Sequence, residues 1–378
     1  MKFSGRLALQ QRVLPHYRAP FFDLLAENCE GGLSLFAGEP RPEESIKTAH
    51  ALQSAQLVHA KNRHILNGSL YFCYQEKIID WLADTKPDAL ILEANPRYLA
   101  TPAAIKWMRE RGRPVIGWGL GAPIRSGLWA GFRQKNWMRF LNQFDALIAY
   151  SQRGAADYAV LGIPREKIFV AQNAAAPRPD HLLARSEPTS PATILFVGRL
   201  QARKRINHLL HACADLPADL QPNLLIVGEG PERTMLEELA AKIYPQTEFL
   251  GAKHGSELDE IWQKADLFTL PGTGGLAVQE AMVHGLPVIV AKGDGTQDDL
   301  VRNQNGWQIP PDDLMALKAA LAQSLSDLPR LREMGVESYR IVKDEVNIEK
   351  MLDIFVMALE QAKKTQPGNR TKSSCSEG

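Results

Sequence analysis

Short runs of apolar, strand-forming residues alternate along the chain with helical patterns. The first series comprises residues 7–9, 33–36, 89–92, 115–118, 146–149 and 168–170, and the second comprises 193–197, 224–227, 267–270 and 288–290. Continuous apolar strands that are separated by helices indicate parallel sheets covered on both faces. The two series therefore predict an α/β chain with two doubly wound, Rossmann-like domains.

The composition changes between the two series, where the chain is rich in Pro, Ala and Ser and poor in periodic apolar positions. Such a segment is typical of a connection between domains. We therefore predict an N-terminal domain over residues 1–175, a hinge over 176–191 and a C-terminal domain over 192–345. A last helix over 346–364 is predicted to cross back to the N-terminal domain, and 365–378 form a polar tail that we expect to be disordered.

The overall composition is that of an ordinary globular protein. The 378 residues are 45% hydrophobic and 23% charged, with a formal net charge of +1, which argues against a disordered chain or a strongly basic nucleic-acid binder. The four cysteines are scattered and fit neither a zinc site nor a disulfide framework. Because the sequence also shows no signal peptide and no apolar run of membrane-spanning length, we expect a cytoplasmic protein without a nucleic-acid partner.

A cluster of four cations follows the first strand of the second series. This strand runs directly into Gly198, and Arg199 and Lys204 lie in the loop that follows. A guanidinium and an ammonium group at this spacing can converge on one anionic group. The alternative is a solvated basic loop, since runs of charge usually lie at the surface.

A glycine-rich turn, residues 271–275, opens a helix after the strand 267–270. Free amide groups at a helix start, together with the helix dipole, favour phosphate binding. Glu280, further along this helix, can accept hydrogen bonds from ribose hydroxyls. The alternative for Glu280 is an exposed pair with His284 at the i,i+4 spacing.

The order of these motifs resembles the C-terminal half of retaining glycosyltransferases of family 4. The segments that carry the resemblance read VGRL, VGEGPER, EFLG, PGTGGLAVQEAM and NGW, and the match runs from Ala146 to Asp313. The resemblance implies the GT-B fold, with two facing Rossmann-like domains, a nucleotide-sugar donor and a retaining transfer. The N-terminal half matches only in general layout.

The resemblance also implies roles for residues of the second domain. Arg199 and Lys204, after Gly198, stand at the positions that hold the donor diphosphate and act in catalysis, and Glu280 stands at the ribose-binding carboxylate of the Glu-x7-Glu motif. Gly272 occupies the place of the first carboxylate of that motif, which touches the transferred sugar. Either the sugar is held at the turn formed by Thr273, Gly274, Gly275 and Leu276, or another acid substitutes, or activity is lost. The glycines, which let backbone donors approach closely, favour the first of these. Leu250 lies in the segment that reads the base through its backbone, and we favour UDP as the nucleotide.

The chain contains no Asp-x-Asp triplet, which holds a metal ion in other sugar-nucleotide transferases. Arg199, Lys204 and a helix N-terminus supply positive charge instead. We therefore predict no obligatory metal and no resident cofactor.

Candidates for the acceptor side lie where strands of the first domain end. His16 and Arg18 follow the first strand, and Glu93 and Trp118 end two later ones. Three of them have structural alternatives: an incidental role for His16, a cap or hinge role for Glu93, and simple packing for Trp118.

Residues 125–144 combine aromatic residues with Arg125, Arg133, Lys135 and Arg139, and no acidic residue lies among them. A basic, aromatic helix is typical of contact with an anionic membrane surface. The alternative is an amphipathic helix packed on its own sheet. Membrane contact favours a glycan or lipid-linked acceptor in lipopolysaccharide or surface polysaccharide assembly, with the enzyme peripheral on the inner face of the membrane.

Two other functions fit the same fold. A sugar-nucleotide epimerase needs acids and bases around the sugar, and a non-catalytic nucleotide-sugar binding protein is suggested by Gly272. The glycosyltransferase is the leading hypothesis.

Overall fold

The computed structural model describes residues 2–44, 46–122, 130–186, 190–293 and 295–366. The described chain divides into two compact units. Unit 1 contains the residues up to Ala175 and those from Ile348 onward, and unit 2 contains Ala176–Asn347. The predicted tail, apart from residues 365 and 366, lies outside the described residues.

Unit 1 is built on a parallel seven-stranded sheet that helices cover. The strands of unit 1, including two outside this sheet, are β1 (Leu7–Val13), β2 (Leu33–Gly38), β3 (Gln56–Ala60), β4 (Asn62–Ile65), β5 (Phe72–Gln75), β6 (Ala89–Glu93), β7 (Val115–Gly119), β8 (Ala146–Ala149) and β9 (Ile168–Val170). Its helices are α1 (Ala19–Glu27), α2 (Ile78–Thr85), α3 (Thr101–Arg109), α4 (Ala130–Leu141) and α5 (Gln152–Val160). The sheet order is β3-β2-β1-β6-β7-β8-β9, and β4 and β5 form a separate antiparallel hairpin.

Unit 2 has a parallel six-stranded sheet in the order β12-β11-β10-β13-β14-β15. Its strands are β10 (Thr193–Val197), β11 (Asn223–Val227), β12 (Thr247–Gly251), β13 (Leu267–Leu270), β14 (Val288–Ala291) and β15 (Gly306–Ile309). Its helices are α6 (Ile206–Ala214), α7 (Arg233–Ile243), α8 (Ser256–Lys264), α9 (Leu276–Val283), α10 (Thr296–Leu300), α11 (Leu314–Leu325) and α12 (Leu328–Asp344). Two parallel, Rossmann-like sheets confirm the predicted fold class.

The last helix, α13 (Ile348–Lys364), packs in unit 1, as the sequence predicted. Phe355 is fully buried, and its ring lies 4.9 Å from Phe21 and 5.0 Å from Trp118, both edge-on. The apolar stripe of α13 thereby closes a core that begins more than 300 positions earlier in the chain.

The first part of the predicted hinge, residues 176–186, packs within unit 2. The Arg185 guanidinium donates hydrogen bonds to the carbonyl oxygens of Trp262, at 3.2 Å, and His284, at 3.0 Å. These carbonyls belong to the ends of α8 and α9, where the helix dipole favours a cation. The segment is therefore fixed to unit 2 by side-chain contacts.

Among the described residues, no helix combines the length and the apolar character needed to cross a bilayer.

Candidate active site

The loops that follow β10 and β11 touch through their backbones at the carboxyl edge of the unit 2 sheet. A Cβ atom on Gly228 would lie 1.9 Å from the carbonyl oxygen of Gly198, and one on Gly230 would lie 2.2 Å from that of Leu200. Only glycine permits such an approach. The glycines of the VGEGP segment therefore bring the two loops together and set the path of the basic loop.

Lys204 is a buried cation in this basic loop, with only 7% of its surface exposed. Its Nζ donates hydrogen bonds to the carbonyl oxygens of Thr273, at 2.9 Å, and Gly274, at 2.7 Å. Burial, and then the neighbouring Arg203, lower the pKa of Lys204 to about 8. Among the described residues the ammonium group has no carboxylate partner, so an incoming anion would compensate a charge that the protein leaves uncompensated.

Arg203 accompanies Lys204 at the glycine turn. A Cβ atom on Gly274 would lie 3.3 Å from an Arg203 guanidinium nitrogen and 3.8 Å from the Lys204 Nζ. Two cations therefore reach the start of α9, where amide groups and the helix dipole also favour an anion. Arg203 is one of the four cations of this loop, and its role at the turn is visible only in the structure.

Gly272 lies beneath the basic loop. A Cβ atom at this position would lie 2.1 Å from the Arg203 carbonyl oxygen, and the Thr273 amide donates a hydrogen bond of 3.0 Å to the same oxygen. The backbone therefore occupies the space that a side chain would need. A carboxylate at residue 272 would require this loop to move.

Arg199 is exposed at the carboxyl end of β10. Within the described part of the chain it makes no hydrogen bond or ion pair. Its guanidinium is therefore available to a ligand, and no hydrogen bond among the described residues joins it to Lys204.

Glu280 is exposed on α9. The alternative pair with His284 is not observed, because His284 faces Asp259, with a nitrogen–oxygen distance of 3.7 Å, and stacks on Trp262 at 5.5 Å. The Glu280 carboxylate is thus not held by the neighbour that the i,i+4 spacing suggested.

Leu250 is half-buried near the carboxyl end of β12. The next residue, Gly251, has a positive φ of 69° and accepts a hydrogen bond of 2.8 Å from the Gly228 amide. This contact places Leu250 at the same edge of the sheet as the loops after β10 and β11.

Gln279 is a buried polar residue that the sequence analysis missed. Only 2% of its surface is exposed; its amide oxygen accepts a hydrogen bond of 3.1 Å from the Ala176 amide, and its amide nitrogen donates one of 3.1 Å to the Val346 carbonyl. The side chain thus joins α9 to both ends of unit 2. A glutamine on the otherwise apolar face formed by Val278, Ala281 and Met282 was the signal in the sequence.

In unit 1, Arg18 and Trp118 are buried. Only 3% and 1% of their surfaces are exposed, and the Arg18 guanidinium lies 5.1 Å from the Trp118 ring. Arg18 donates a hydrogen bond of 3.2 Å to the Ala174 carbonyl oxygen and another to the Asn173 side chain. Neither residue presents its side chain at the surface to an acceptor, because both fill the interior; for Trp118 this is the packing alternative.

His16 and Glu93 remain at the carboxyl edge of the unit 1 sheet. His16 is exposed and lines a cavity of about 650 Å³. A Glu93 carboxylate oxygen accepts a hydrogen bond of 2.5 Å from the Arg12 amide, and burial raises the pKa of this carboxyl to about 7. The Glu93 side chain is therefore held in the interior by the backbone of β1 and is not presented to an acceptor.

The basic, aromatic segment has two faces. Arg125 and Trp129 lie outside the described residues, while on α4 the side chains of Phe132, Arg133, Lys135 and Arg139 are exposed. Phe140, Leu141 and Phe144 are buried in the core of unit 1. One face thus packs on the sheet, as one interpretation held, and the other leaves its cations at the surface.

No group of three His, Cys, Asp or Glu side chains that could hold a metal ion occurs among the described residues.

A sequence model of the family described as "Glycosyl transferases group 1" matches residues 181–340. This segment belongs to that family. It covers almost all of the described unit 2 and includes Arg199, Lys204, the glycine turn and Glu280.

Curated relatives match this chain over part of their length. A "GDP-mannose-dependent alpha-mannosyltransferase" of Mycobacterium tuberculosis is 31% identical over 223 residues, which are 57% of this chain and 55% of the relative. A "Putative colanic acid biosynthesis glycosyltransferase WcaL" of Escherichia coli is 28% identical over 197 residues, 47% of each chain. The chain thus spans about half the length of these relatives.

Solved structures share the fold over nearly the whole chain. Anabaena Alr3699/HepE in complex with UDP has a TM-score of 0.68 at 16% identity and covers 95% of this chain and 100% of its own. The lipopolysaccharide outer core galactosyltransferase WaaB has a TM-score of 0.65 at 16% identity, with 93% and 99% covered. At this identity the likeness shows the fold alone, which is the GT-B fold that the resemblance implied.

Proposed function

We propose that the protein is a glycosyltransferase that moves a sugar from a nucleoside diphosphate sugar to a glycan or lipid-linked acceptor in surface polysaccharide or lipopolysaccharide assembly. The observation that carries this proposal is the buried, uncompensated Lys204 at the start of α9, with Arg203 beside it. The names of the relatives and the family of residues 181–340 support the same chemistry.

The proposed site favours departure of a diphosphate. When the bond between the anomeric carbon and the phosphate oxygen breaks, negative charge grows on the diphosphate. Lys204, Arg203, the exposed Arg199 and the amide groups of α9 supply positive charge there, and this stabilises the transition state. We propose retention: the acceptor oxygen bonds to the anomeric carbon on the same face, and its proton passes to the departing phosphate oxygen.

Two nucleotides are candidates for the donor. UDP is the proposal from the sequence, while a relative named for GDP-mannose makes GDP the competing nucleotide. In both, the diphosphate is the part that Lys204 would bind, so the base must be distinguished by titration of each nucleotide.

The acceptor is proposed to be presented at the inner face of the membrane. The exposed cations of α4 support this proposal, because an anionic bilayer attracts them. A peripheral enzyme at that face would meet a lipid-linked acceptor.

The test starts with UDP and GDP in a thermal-shift titration of the purified chain. A saturating nucleotide, at about 100 times its Kd, should add about 2.7 kcal/mol to the free energy of unfolding. Lys204→Ala and Arg199→Ala should each reduce turnover of the matching nucleotide sugar by one to two orders of magnitude, at about 1.5 to 3 kcal/mol for each charge-assisted bond.

Lys242→Ala, on the exposed surface of α7, is the control and should retain wild-type turnover. Normal kinetics in both site variants would contradict the diphosphate assignment. Exchange of sugar protons with solvent in the absence of an acceptor would indicate an epimerase, and binding without hydrolysis or transfer would indicate a non-catalytic binding protein.

A further inference from the structure

Trp262 is a buried aromatic residue of α8 with a polar atom that its surroundings leave unsatisfied. The residue is 0% exposed, and among the described residues no acceptor completes a hydrogen bond with its indole Nε1–H. A buried N–H group without an acceptor is costly, and such groups are rare in folded proteins. The side chains packed around the ring indicate where an acceptor can lie.

The indole ring of Trp262 is held from several sides within unit 2. It lies 5.5 Å from the His284 ring, nearly parallel to it at 13°, and 5.6 Å from the Phe268 ring. The Trp262 carbonyl oxygen accepts hydrogen bonds of 3.2 Å from the Arg185 guanidinium. The N–H bond therefore has a fixed direction, because both the ring and the backbone of this residue are held in place.

Glu280 of α9 lies beside this ring. Residues four positions apart share one face of a helix, so Glu280 lies one turn before His284, whose ring covers Trp262. Desolvation against α8 raises the pKa of the Glu280 carboxyl, although the Trp262 N–H, which favours the carboxylate, acts in the opposite direction. Glu280 is nevertheless exposed as a residue, so its carboxylate faces Trp262 on one side and solvent on the other.

A carboxylate in this position can accept hydrogen bonds from both sides at once. Its two oxygens offer about four lone-pair sites, and two ribose hydroxyls use only two of them. The remaining sites can accept a bond from a donor of the protein. A glutamate side chain that a fixed donor already holds loses less conformational freedom when a ligand binds.

We propose that the Trp262 N–H bonds to the Glu280 carboxylate and holds it in position for the ribose hydroxyls of the nucleotide sugar. Trp262 is then a positioning residue, because it acts through Glu280 and does not touch the ligand. Rotation of the exposed Glu280 side chain completes the bond, since the ring itself is fixed. This inference rests on the proposed function, in which Glu280 binds the ribose, and extends it to the residue behind that contact.

The contact itself can be tested without a nucleotide. The chain contains seven tryptophans, and their indole N–H groups give individual signals in a proton–nitrogen NMR spectrum of the isotope-labelled full chain. We expect Glu280→Gln to shift one of these signals, because the N–H loses a charged acceptor. This signal should be the one that Trp262→Phe removes. The control Glu238→Gln, on the exposed surface of α7, should leave it in place.

The consequence for binding is tested with UDP and GDP and with their dideoxy forms, which lack both ribose hydroxyls. Isothermal titration gives the ratio of the Kd of the dideoxy form to that of the ribose form. For the wild type we expect a ratio of about ten or more, since the hydroxyls bond to a charged group. In Trp262→Phe the ratio should fall towards one. A purely structural role for Trp262 would weaken both forms equally and leave the ratio unchanged.

Phenylalanine keeps an aromatic ring against His284 and Phe268 while it removes the N–H, so Trp262→Phe is expected to fold, and its melting temperature will verify this. The matched control is Trp307→Phe on β15. The Trp307 Nε1 donates a hydrogen bond of 3.0 Å to Gln323, so this variant loses an indole hydrogen bond elsewhere in unit 2. It should keep the wild-type ratio.

Steady-state kinetics provide a second measurement. Trp262→Phe should raise KM for the nucleotide sugar about tenfold and change kcat by less than about twofold, because the ribose contact is similar in the ground and transition states. The double variant Trp262→Phe/Glu280→Gln should bind nucleotide no more weakly than Glu280→Gln alone, since both residues act through one contact.

Four results would overturn the inference: no indole signal that responds to Glu280→Gln, an unchanged Kd ratio in Trp262→Phe, losses that add in the double variant, and an equal fall of the ratio in Trp307→Phe. The NMR comparison of wild type and Glu280→Gln does not depend on the folding of Trp262→Phe. Failure of UDP and GDP to bind the wild type would contradict the proposed function, whereas the NMR measurement needs no nucleotide and would still decide whether Trp262 contacts Glu280.

Discussion

We expect Lys204 to couple proton binding to ligand binding. Its pKa of about 8 in the ligand-free protein results from burial next to Arg203. An anionic diphosphate beside the ammonium group would favour the charged form and raise this pKa. Below pH 8 the amine is already charged, whereas above pH 8 the protein must take up a proton when the ligand binds.

We therefore predict that nucleotide affinity is constant between about pH 7 and pH 8, where the terminal phosphate is already ionised, and falls above pH 8 by up to about tenfold per pH unit until the pKa of the bound state is reached. Isothermal titration of the nucleotide across this range measures the slope. Lys204→Arg is the matched control, because its guanidinium stays charged and should abolish the slope. An equal slope in both proteins would show that another group titrates.

The proposed contact between Glu280 and the ribose of the nucleotide can be tested by mutation. We predict that Glu280→Gln raises KM for the donor much more than it lowers kcat, because bonds to ribose hydroxyls are similar in the ground and transition states. Steady-state kinetics with the nucleotide sugar provide the measurement, with the exposed Glu238→Gln on α7 as control. A collapse of kcat at constant KM would assign Glu280 a direct part in the chemistry.

At the residue scale, the sequence identified the types of residue in the candidate site but not which of them lie in contact in the fold. Arg18 looked like a surface cation at the end of a strand, yet its surface is only 3% exposed. Gly272 looked like a lost carboxylate, and only the path of the Arg203 backbone explains why no side chain fits. Such facts depend on contacts between distant segments, which neither spacing nor residue type encodes.

We propose that helix α9 and the basic loop together provide the positive charge that a metal ion provides in other transferases. We predict that excess EDTA leaves transfer activity unchanged and that added Mg²⁺ or Mn²⁺ does not increase it. Activity assays with and without chelator are sufficient. An absolute metal requirement would mean that the cations do not neutralise the diphosphate.

Helix α4 makes a separate electrostatic prediction. Replacement of Arg133, Lys135 and Arg139 by Gln should weaken binding to anionic vesicles by about two orders of magnitude, at about 1 kcal/mol for each cation. Wild-type binding should also weaken as salt rises past about 0.15 M, where the Debye length is about 8 Å. Vesicle co-sedimentation over a salt series measures both effects.

The control for α4 replaces Lys242, Lys264 and Arg330 of unit 2 by Gln, which removes the same charge from exposed positions elsewhere. This control should bind as wild type does. Equal weakening in both variants would show a response to net charge alone, and no weakening in either would leave α4 as a helix packed on its sheet.

At the element scale, continuous apolar runs predicted the buried parallel strands, because a strand covered on both faces needs apolar residues throughout. The β4–β5 hairpin was missed, since β4 is Asn62–Ile65, alternately half-buried and exposed. A short two-stranded element of this kind carries little hydrophobic signal. The split of α4 into a buried and a basic face explains why two interpretations of residues 125–144 fitted the sequence equally well.

At the scale of the whole molecule, the chain passes between the units twice, at residues 175–176 and 347–348. Within unit 1, Arg18 contacts Asn173 and Met351, close to these two points. Within unit 2, Gln279 contacts Ala176 and Val346, which are also close to them. A buried polar side chain in each unit therefore fixes both connecting segments.

Because of this connectivity, the last helix of the chain stabilises unit 1 and not unit 2, which precedes it in the sequence. Phe355 follows unit 2 in the chain, yet its ring packs on Phe21 and Trp118 of unit 1. We predict that Phe355→Ala lowers the free energy of unfolding of unit 1 by about 3 to 5 kcal/mol, while unit 2 keeps its nucleotide-induced shift. Hydrogen exchange should therefore accelerate in α1 and β7 and stay unchanged in α9.

Met357→Ala, at a 46% exposed position of the same helix, is the control and should change the free energy of unfolding by less than about 0.5 kcal/mol. Faster exchange in α9 after Phe355→Ala, with α1 and β7 unaffected, would contradict the assignment of the last helix to unit 1.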